Sequence, residues 1–386
     1  MTISATEQAI LANISENQQN QADFLAELVR INSFTENKAG VDRVGQRIVE
    51  KLSSIGYEHL PFDSGQEIGL FHHLVPPEGS AKPIVLLGHL DTVFPPDSGF
   101  VDFTADGDRL RGPGVFDMKG GLAVVVFALK ALYEEGGDVG ATILLNSDEE
   151  IGSPHSKPWL CERLQKMDAA LVFEGGRDGD ALITCRKGSG RMFVRTSGRA
   201  AHAGMRHHEG INAAVQLCHA CIALDELTDY ARQVTVNIGV VRGGIAKNVV
   251  PESAEALVDF RYVDAADLET LRTEVKSIEA TEFVDGATTE IELIHARPPM
   301  PRTDEGVELM RRYADASLEV GLSCGEAPLQ GGGSDANLAA LEGVPVIDGL
   351  GPYGGGCHTT DEWIYAQSLL AKTRALAVFL YRWGKL

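Results

Sequence analysis

Apolar residues recur every three to four positions through residues 6–32, closing on Phe24-Leu25-Ala26-Glu27-Leu28-Val29-Arg30-Ile31, and again over about 41–55. Both stretches predict helices. Short unbroken apolar runs at Ile84–Leu87, Ala141–Leu145 and Ala169–Phe173 predict buried strands. Between the first two, Gly120–Lys130 is apolar on every side and predicts a core helix. Strands alternating with helices argue for an α/β domain built on a largely parallel sheet.

The pattern changes after about residue 187. Strands are expected at 191–196, 233–241, 256–263 and 288–295, with helices at 210–227 and 266–282. That order, β-α-β-β-α-β, is the ferredoxin-like split unit. A stretch of this length can carry its own core. The expected organisation is therefore a discontinuous outer domain, 1–186 and 298–386, with an inserted domain at 187–297. The outer domain resumes with a helix near 305–320, a glycine-rich loop at 331–333 and a long helix near 362–383.

Composition narrows the functions open to such a chain. Its 386 residues exceed the ~150 of a typical domain and suffice for a large core without disulfide staples. A formal net charge of −21 argues against nucleic acid or an anionic membrane as partner, since both require a basic face. No run of ~18 apolar residues is present, so no membrane span is expected. The opening Met1-Thr2-Ile3-Ser4-Ala5-Thr6-Glu7 lacks the basic and apolar regions of a secretory signal, which points to the cytoplasm. Six cysteines without regular spacing are expected as free thiols, and Cys218 and Cys221 as packing residues of a helix.

Candidate chemistry collects after the expected strands, where open α/β sheets place ligands. In Gly88-His89-Leu90-Asp91, residues two apart on extended chain face the same way, so Asp91 can orient the His89 ring. Asp117, in Gly112-Pro113-Gly114-Val115-Phe116-Asp117-Met118-Lys119-Gly120-Gly121, is either a helix N-cap or a ligand held by a permissive loop. Asp148-Glu149-Glu150 is either a solvated charge run or a pair of acids with separate tasks. Glu174 follows the third strand, and His358 lies in Gly355-Gly356-Cys357-His358-Thr359-Thr360-Asp361. Each alone reads as structural. Together, His89, Asp117, Glu150, Glu174 and His358 supply two imidazoles and three carboxylates. With Asp117 shared, each of two divalent ions would have one His and one Glu. Such N/O donors suit zinc, with cobalt or manganese as substitutes. Glu149, beside a donor but not one itself, would be the general base.

These motifs, in this order and over essentially the whole chain, resemble the co-catalytic zinc hydrolases that include carboxypeptidase G, acetylornithine deacetylase, succinyl-diaminopimelate desuccinylase and aminoacylase-1. Gly331-Gly332-Gly333-Ser334-Asp335 and the stretch around Arg297 resemble the glutamate carboxypeptidase branch most. The resemblance implies a zinc-exopeptidase-like mixed sheet flanked by helices, with the insert as a lid and homodimerisation domain. It implies His89 and Glu174 on one zinc, Glu150 and His358 on the other, Asp117 bridging, Asp91 supporting His89 and Glu149 moving the proton. A cis peptide after the bridging Asp is expected, and Glu rather than Asp at 174 fits carboxypeptidases and deacylases. His202, in Arg199-Ala200-Ala201-His202-Ala203-Gly204, would stabilise the oxyanion in a partner subunit's site. Lys187, Asn248, Arg261, Arg297, Gly333 and Ser334 fall where substrate carboxylate recognition is proposed in that branch. The implied activity is hydrolysis of an amide bond, releasing a C-terminal amino acid from a peptide or N-acyl amino acid. An N-acyl amino acid deacylase is the near alternative, and a non-catalytic metal-binding relative the distant one. His72, His73, His207 and His208 have no such context and are read as packing or surface residues.

Overall fold

The computed structural model describes residues 3–77, 82–137 and 140–385. Two compact units result: Met1–Thr184, Arg302–Leu329 and Ser334–Leu386 form the first, Cys185–Pro301 and Gln330–Gly333 the second. Residues 185–186 and 298–301, which the sequence boundaries put in the outer domain, fall in the second unit, as does the glycine-rich loop 330–333.

In the first unit a six-stranded sheet runs β1 (Glu58–Phe62), β2 (Phe71–Val75), β4 (Ala141–Asn146), β3 (Ile84–His89), β5 (Ala169–Val172), then the short strand Val346–Ile347. The three central strands and Val346–Ile347 are parallel; β1 and β2 form an antiparallel hairpin on one edge. The sheet is thus mixed. β3, β4 and β5 are buried along their whole length, as unbroken apolar runs require when helices cover both faces.

The first periodic stretch divides into α1 (Ala5–Glu16) and α2 (Gln18–Arg30). The break falls at Asn17, inside a run of amides that favours caps over helix interior. α1 opens on a reciprocal capping box between Ser4 and Glu7. Next come α3 (Lys38–Ser53) and the apolar α4 (Gly120–Glu134), which packs against α1, α2, α3 and the C-terminal helix Ala366–Trp383. That enclosure explains why α4 shows no polar face. The last helix starts later than the sequence suggests: Trp363–Tyr365 is instead a strand paired to Arg109–Arg111, its aromatic alternation suiting a ladder.

The second unit holds an antiparallel sheet in the order β7 (Thr235–Gly243), β8 (Ser253–Tyr262), β6 (Gly188–Ser197), β9 (Thr288–Arg297). Helices α5 (Ala213–Asp225) and α6 (Ala265–Glu279) complete the ferredoxin-like order. Its core, built on Met192, Val194, Leu217, Val258, Phe260 and Leu271, is separate from that of the first unit. Cys218 and Cys221 lie on α5 as free thiols.

Candidate active site

Five segments of the first unit converge at the C-terminal ends of β3, β4 and β5. His89 ends β3 and is 1 % exposed. Its Nδ1 lies 3.1 Å from the main-chain oxygen of Asp91 and 3.4 Å from Asp91 Oδ1. The nearer partner is the carbonyl, not the carboxylate that the spacing suggests. Either way Nδ1 carries the proton, which leaves Nε2 as a donor atom for something else. The Asp91 carboxylate accepts from Thr35 Oγ1 at 2.8 Å and from the main-chain N–H groups of Glu149 and Glu150, each at 3.3 Å. One buried acid therefore ties His89 to the acidic turn.

Asp117 is not an N-cap. α4 begins at Gly120, and Asp117 sits in the preceding turn Val115–Lys119 with non-helical torsions and a cis bond to Met118. Gly114, at φ 75°, supplies the left-handed turn that a side chain would resist. Glu362, which sequence reasoning passed over, holds this turn. It is fully buried and accepts from the N–H groups of Gly114 (3.0 Å), Phe116 (2.7 Å) and Asp117 (2.9 Å). Its only sequence signal is an acid four residues after His358, at the start of an aromatic strand. Burial pushes its carboxyl up to about 7. Burial also brings the neighbouring Lys119 ammonium down to about 7, and Lys119 Nζ donates to Ile31 O at 2.9 Å.

The acidic run after β4 is a structured turn rather than a solvated loop. Asp148 Oδ2 accepts from His155 N (2.8 Å) and Ser156 N (3.1 Å). Asp335 anchors the same turn through Asn146 Nδ2 (2.7 Å) and Ser153 Oγ (2.6 Å). Glu150 consequently points inward, its side chain 5 % exposed, while Glu149 is half-buried. His358, in the left-handed region at φ 61°, reaches the cluster from the last loop.

The result is a two-sided arrangement about Asp117. On one side, His89 Nε2 is 3.1 Å from Asp117 Oδ1 and 3.7 Å from Glu174 Oε1. On the other, His358 Nε2 is 3.3 Å from Asp117 Oδ2 and 3.2 Å from Glu150 Oε2. Donors ~2.0–2.1 Å from a tetrahedral ion stand ~3.3 Å apart, so both sets have the spacing of donors that share one ion. Cys357 Sγ, unexpected from the sequence, donates to Asp117 Oδ2 at 2.9 Å.

The electrostatics agree with a cation at this place. Burial, then the charge of Asp117, pushes Glu150 up to about 8 and Glu174 well above the usual carboxylate range. For Asp117 burial acts in the same direction, but hydrogen bonds from His358 and His89 outweigh it and hold its carboxyl low. Burial opposes charge on His89, yet its bonds to Asp117 and Asp91 raise it. Glu150 Oε1 is buried with no hydrogen-bond partner among the described residues. Three crowded, largely shielded carboxylates with one orphaned buried oxygen are what a divalent ion compensates, so these residues fit a metal centre.

The other expected residues are placed as follows. In the second unit, His202 pairs with Val249, and Asn248 O accepts from Ala203 N at 3.0 Å, so His202 and Asn248 are neighbours. His202 is exposed and its Nδ1 accepts from Gly204 N (3.2 Å) and Met205 N (3.1 Å). Lys187 Nζ donates to Gln233 O at 2.6 Å. The Arg261 fork is engaged by Asp259, with both bonds at 2.9 Å, and reaches Gly331 O at 3.4 Å. Arg297 is 4 % exposed, and Gly333 ends the loop 330–333. Ser334, in the first unit, turns its hydroxyl inward to Asp348 Oδ2 at 2.6 Å.

The family described as Peptidase family M20/M25/M40 matches residues 85–382. The chain belongs to this family. Carboxypeptidase G2 from Pseudomonas sp. (strain RS-16) is 30 % identical, over 87 % of this chain and 82 % of its own. A succinyl-diaminopimelate desuccinylase from Thioalkalivibrio sulfidiphilus is 29 % identical, over 93 % and 98 %. Among solved structures, an M20-family metallo-carboxypeptidase from Sulfolobus solfataricus superposes with a TM-score of 0.77 at 17 % identity, covering 95 % of this chain and 99 % of that one. A Staphylococcus aureus tripeptidase gives 0.81 at 20 % identity, covering 96 % and 99 %. The protein is a metallohydrolase acting on amide bonds. Among the described residues no helix is long and apolar enough to cross a membrane.

Proposed function

We propose that the protein hydrolyses the amide bond that precedes a C-terminal amino acid, of glutamate type, in a peptide or N-acyl amino acid. The observation that carries this reading is Asp117, whose two oxygens face two separate sets of donors. His89, Glu174 and Asp117 Oδ1 would hold one zinc ion; His358, Glu150 and Asp117 Oδ2 would hold the other, with cobalt or manganese as substitutes. Bound there, the ions supply Lewis-acid activation of water and of the scissile carbonyl.

Glu149 lies one residue from Glu150 and outside both donor sets. It takes the proton of the attacking water and passes it to the leaving amine nitrogen. Asp91 fixes the position of Glu149 through its main-chain N–H. His202 is suited to stabilise the oxyanion. Its Nδ1 already accepts two backbone N–H groups, which leaves Nε2 as the ring's donor. We assign this donor to the site of a partner subunit in a homodimer. The outer edge of β7 has no strand beside it among the described residues, and Val241 and Ile222 are exposed on β7 and α5.

Lys187, Asn248, Arg261, Arg297 and Gly333 are proposed to recognise the substrate carboxylate. Arg261 would exchange Asp259 for that carboxylate, a like-for-like bidentate swap. A local basic pocket is required because the −21 field repels an anionic substrate. We place the enzyme in the cytoplasm. The 29 % identity to a desuccinylase across nearly the whole chain favours an N-acyl deacylase as second reading.

Turnover of zinc-loaded protein on N-acyl-glutamates, dipeptides, and N-acetyl and N-succinyl amino acids tests the assignment. Preference for release of a C-terminal glutamate supports it; preference for N-succinyl or N-acetyl substrates with little peptide cleavage overturns it. Glu149→Gln should lower kcat by about 10²–10⁴-fold at unchanged metal content. Near-normal turnover of that variant removes Glu149 from the base role.

A further inference from the structure

The two sides of Asp117 are not chemically alike. On the Oδ1 side, the donor atoms of His89, Asp117 and Glu174 lie within 4.8 Å of one another. On the Oδ2 side, those of Asp117, His358 and Cys357 do the same, and Glu150 Oε2 joins at 3.2 Å from His358 Nε2. A thiol on the first side is absent among the described residues.

We infer that Cys357 is a ligand of the ion on the His358 side, making that position a four-donor N/O/O/S site while the His89 side keeps three protein donors. The inference rests on the two-ion reading proposed above and extends it to a residue that this reading does not use.

Three observations support it. Cys357 packs against the apolar core of the first unit, yet its Sγ meets the shared carboxylate at 2.9 Å. The loop that carries it also carries His358, so one backbone segment delivers adjacent N and S donors to the same oxygen. Independently, Glu150 Oε1 on this side is buried without a hydrogen-bond partner among the described residues, so the side contains donor capacity that its own protein contacts leave unmet.

Coordination balances simply. The thiol proton, now shared with Asp117 Oδ2, is lost to solvent, and the sulfur lone pair forms the bond to the ion. With four protein donors on one side and three on the other, the two sides would differ in how firmly they hold an ion. The His358-side ion would then be the more firmly held of the two. Its sulfur would also select zinc or cadmium over manganese, since thiolate is the soft ligand in the set.

Cobalt reports this directly. Metal-free protein is titrated with Co²⁺, bound ions are counted by equilibrium dialysis, and the near-ultraviolet spectrum is recorded. The expected result is an intense sulfur-to-cobalt charge-transfer band in the unmodified chain, lost in both Cys357→Ser and Cys357→Ala. Bound cobalt without that band overturns the inference and leaves the two-ion reading intact. So does a band that persists in Cys357→Ser. A chain that binds no cobalt at all fails both, and the dialysis count identifies that case. The spectrum of the unmodified chain stands even if a variant does not fold.

Discussion

The residue that decides most about the site without belonging to either donor set is Glu362. It gives three main-chain N–H groups their acceptors and so fixes the turn that presents Asp117. Truncation strands those donors in a dry interior, at about 1–3 kcal/mol for each group that finds no water. We expect Glu362→Ala to lose about 2–4 kcal/mol in urea unfolding of the metal-free protein and about 10–100-fold in metal affinity, with Glu362→Gln recovering part of both. Equal metal affinity in all three proteins would refute this role. Nothing local in the sequence marks Glu362, because its partners lie some 245 positions away. His89, Glu150 and Glu174 were legible because each follows an apolar strand run, and Asp117 and His358 because each sits in a recognisable glycine-rich string. Cys357 was not, because a cysteine beside a histidine has no meaning until the loop is folded against Asp117.

At the scale of elements, apolar runs and periodicity gave β3, β4, β5, α4 and the ferredoxin-like order, since burial dictates those patterns. What they could not give is close approach between elements. A Cβ at Gly121 would stand 2.0 Å from Phe173 O, so this glycine lets α4 press against the end of β5, next to Glu174. The edge hairpin was likewise invisible, and it contains a stacked histidine pair in which His72 is buried and His59 half-buried. His72 Nδ1 lies 2.9 Å from His59 Nε2, the rings are stacked with centroids 5.0 Å apart, and His72 Nε2 has no hydrogen-bond partner among the described residues. Burial, then the nearby His59, brings the His72 imidazolium down to about 3 from an ordinary value of 6.5. The sign follows directly. Below pH 6.5 the unfolded chain takes up a proton that the folded hairpin refuses, so stability is complete above pH 6.5 and drains away as pH falls toward 3. The slope is at most ~1.4 kcal/mol per pH unit. We expect the urea midpoint of the unmodified protein to fall more between pH 7 and pH 5 than that of His72→Leu. Parallel losses would show that His72 is not the source.

Across the whole molecule, the two units have separate cores, and every candidate metal donor lies in the first. A ligand stabilises only the state that binds it, by about 4 kcal/mol at a thousandfold excess over its Kd. Chelation should therefore lower the calorimetric transition of the first unit and leave that of the second in place; a joint shift of both would contradict this. The charge of −21 spoke only to which partners are unsuitable. The convergence of donors from residues 89 to 358 is a property of the fold alone. Its most direct test is the number of divalent ions retained per chain after zinc loading and dialysis, for the unmodified protein and for Asp117→Ala. Two ions in the first and none or one in the second are expected. Two ions in both, or fewer than two in the unmodified protein, would contradict a centre shared through Asp117.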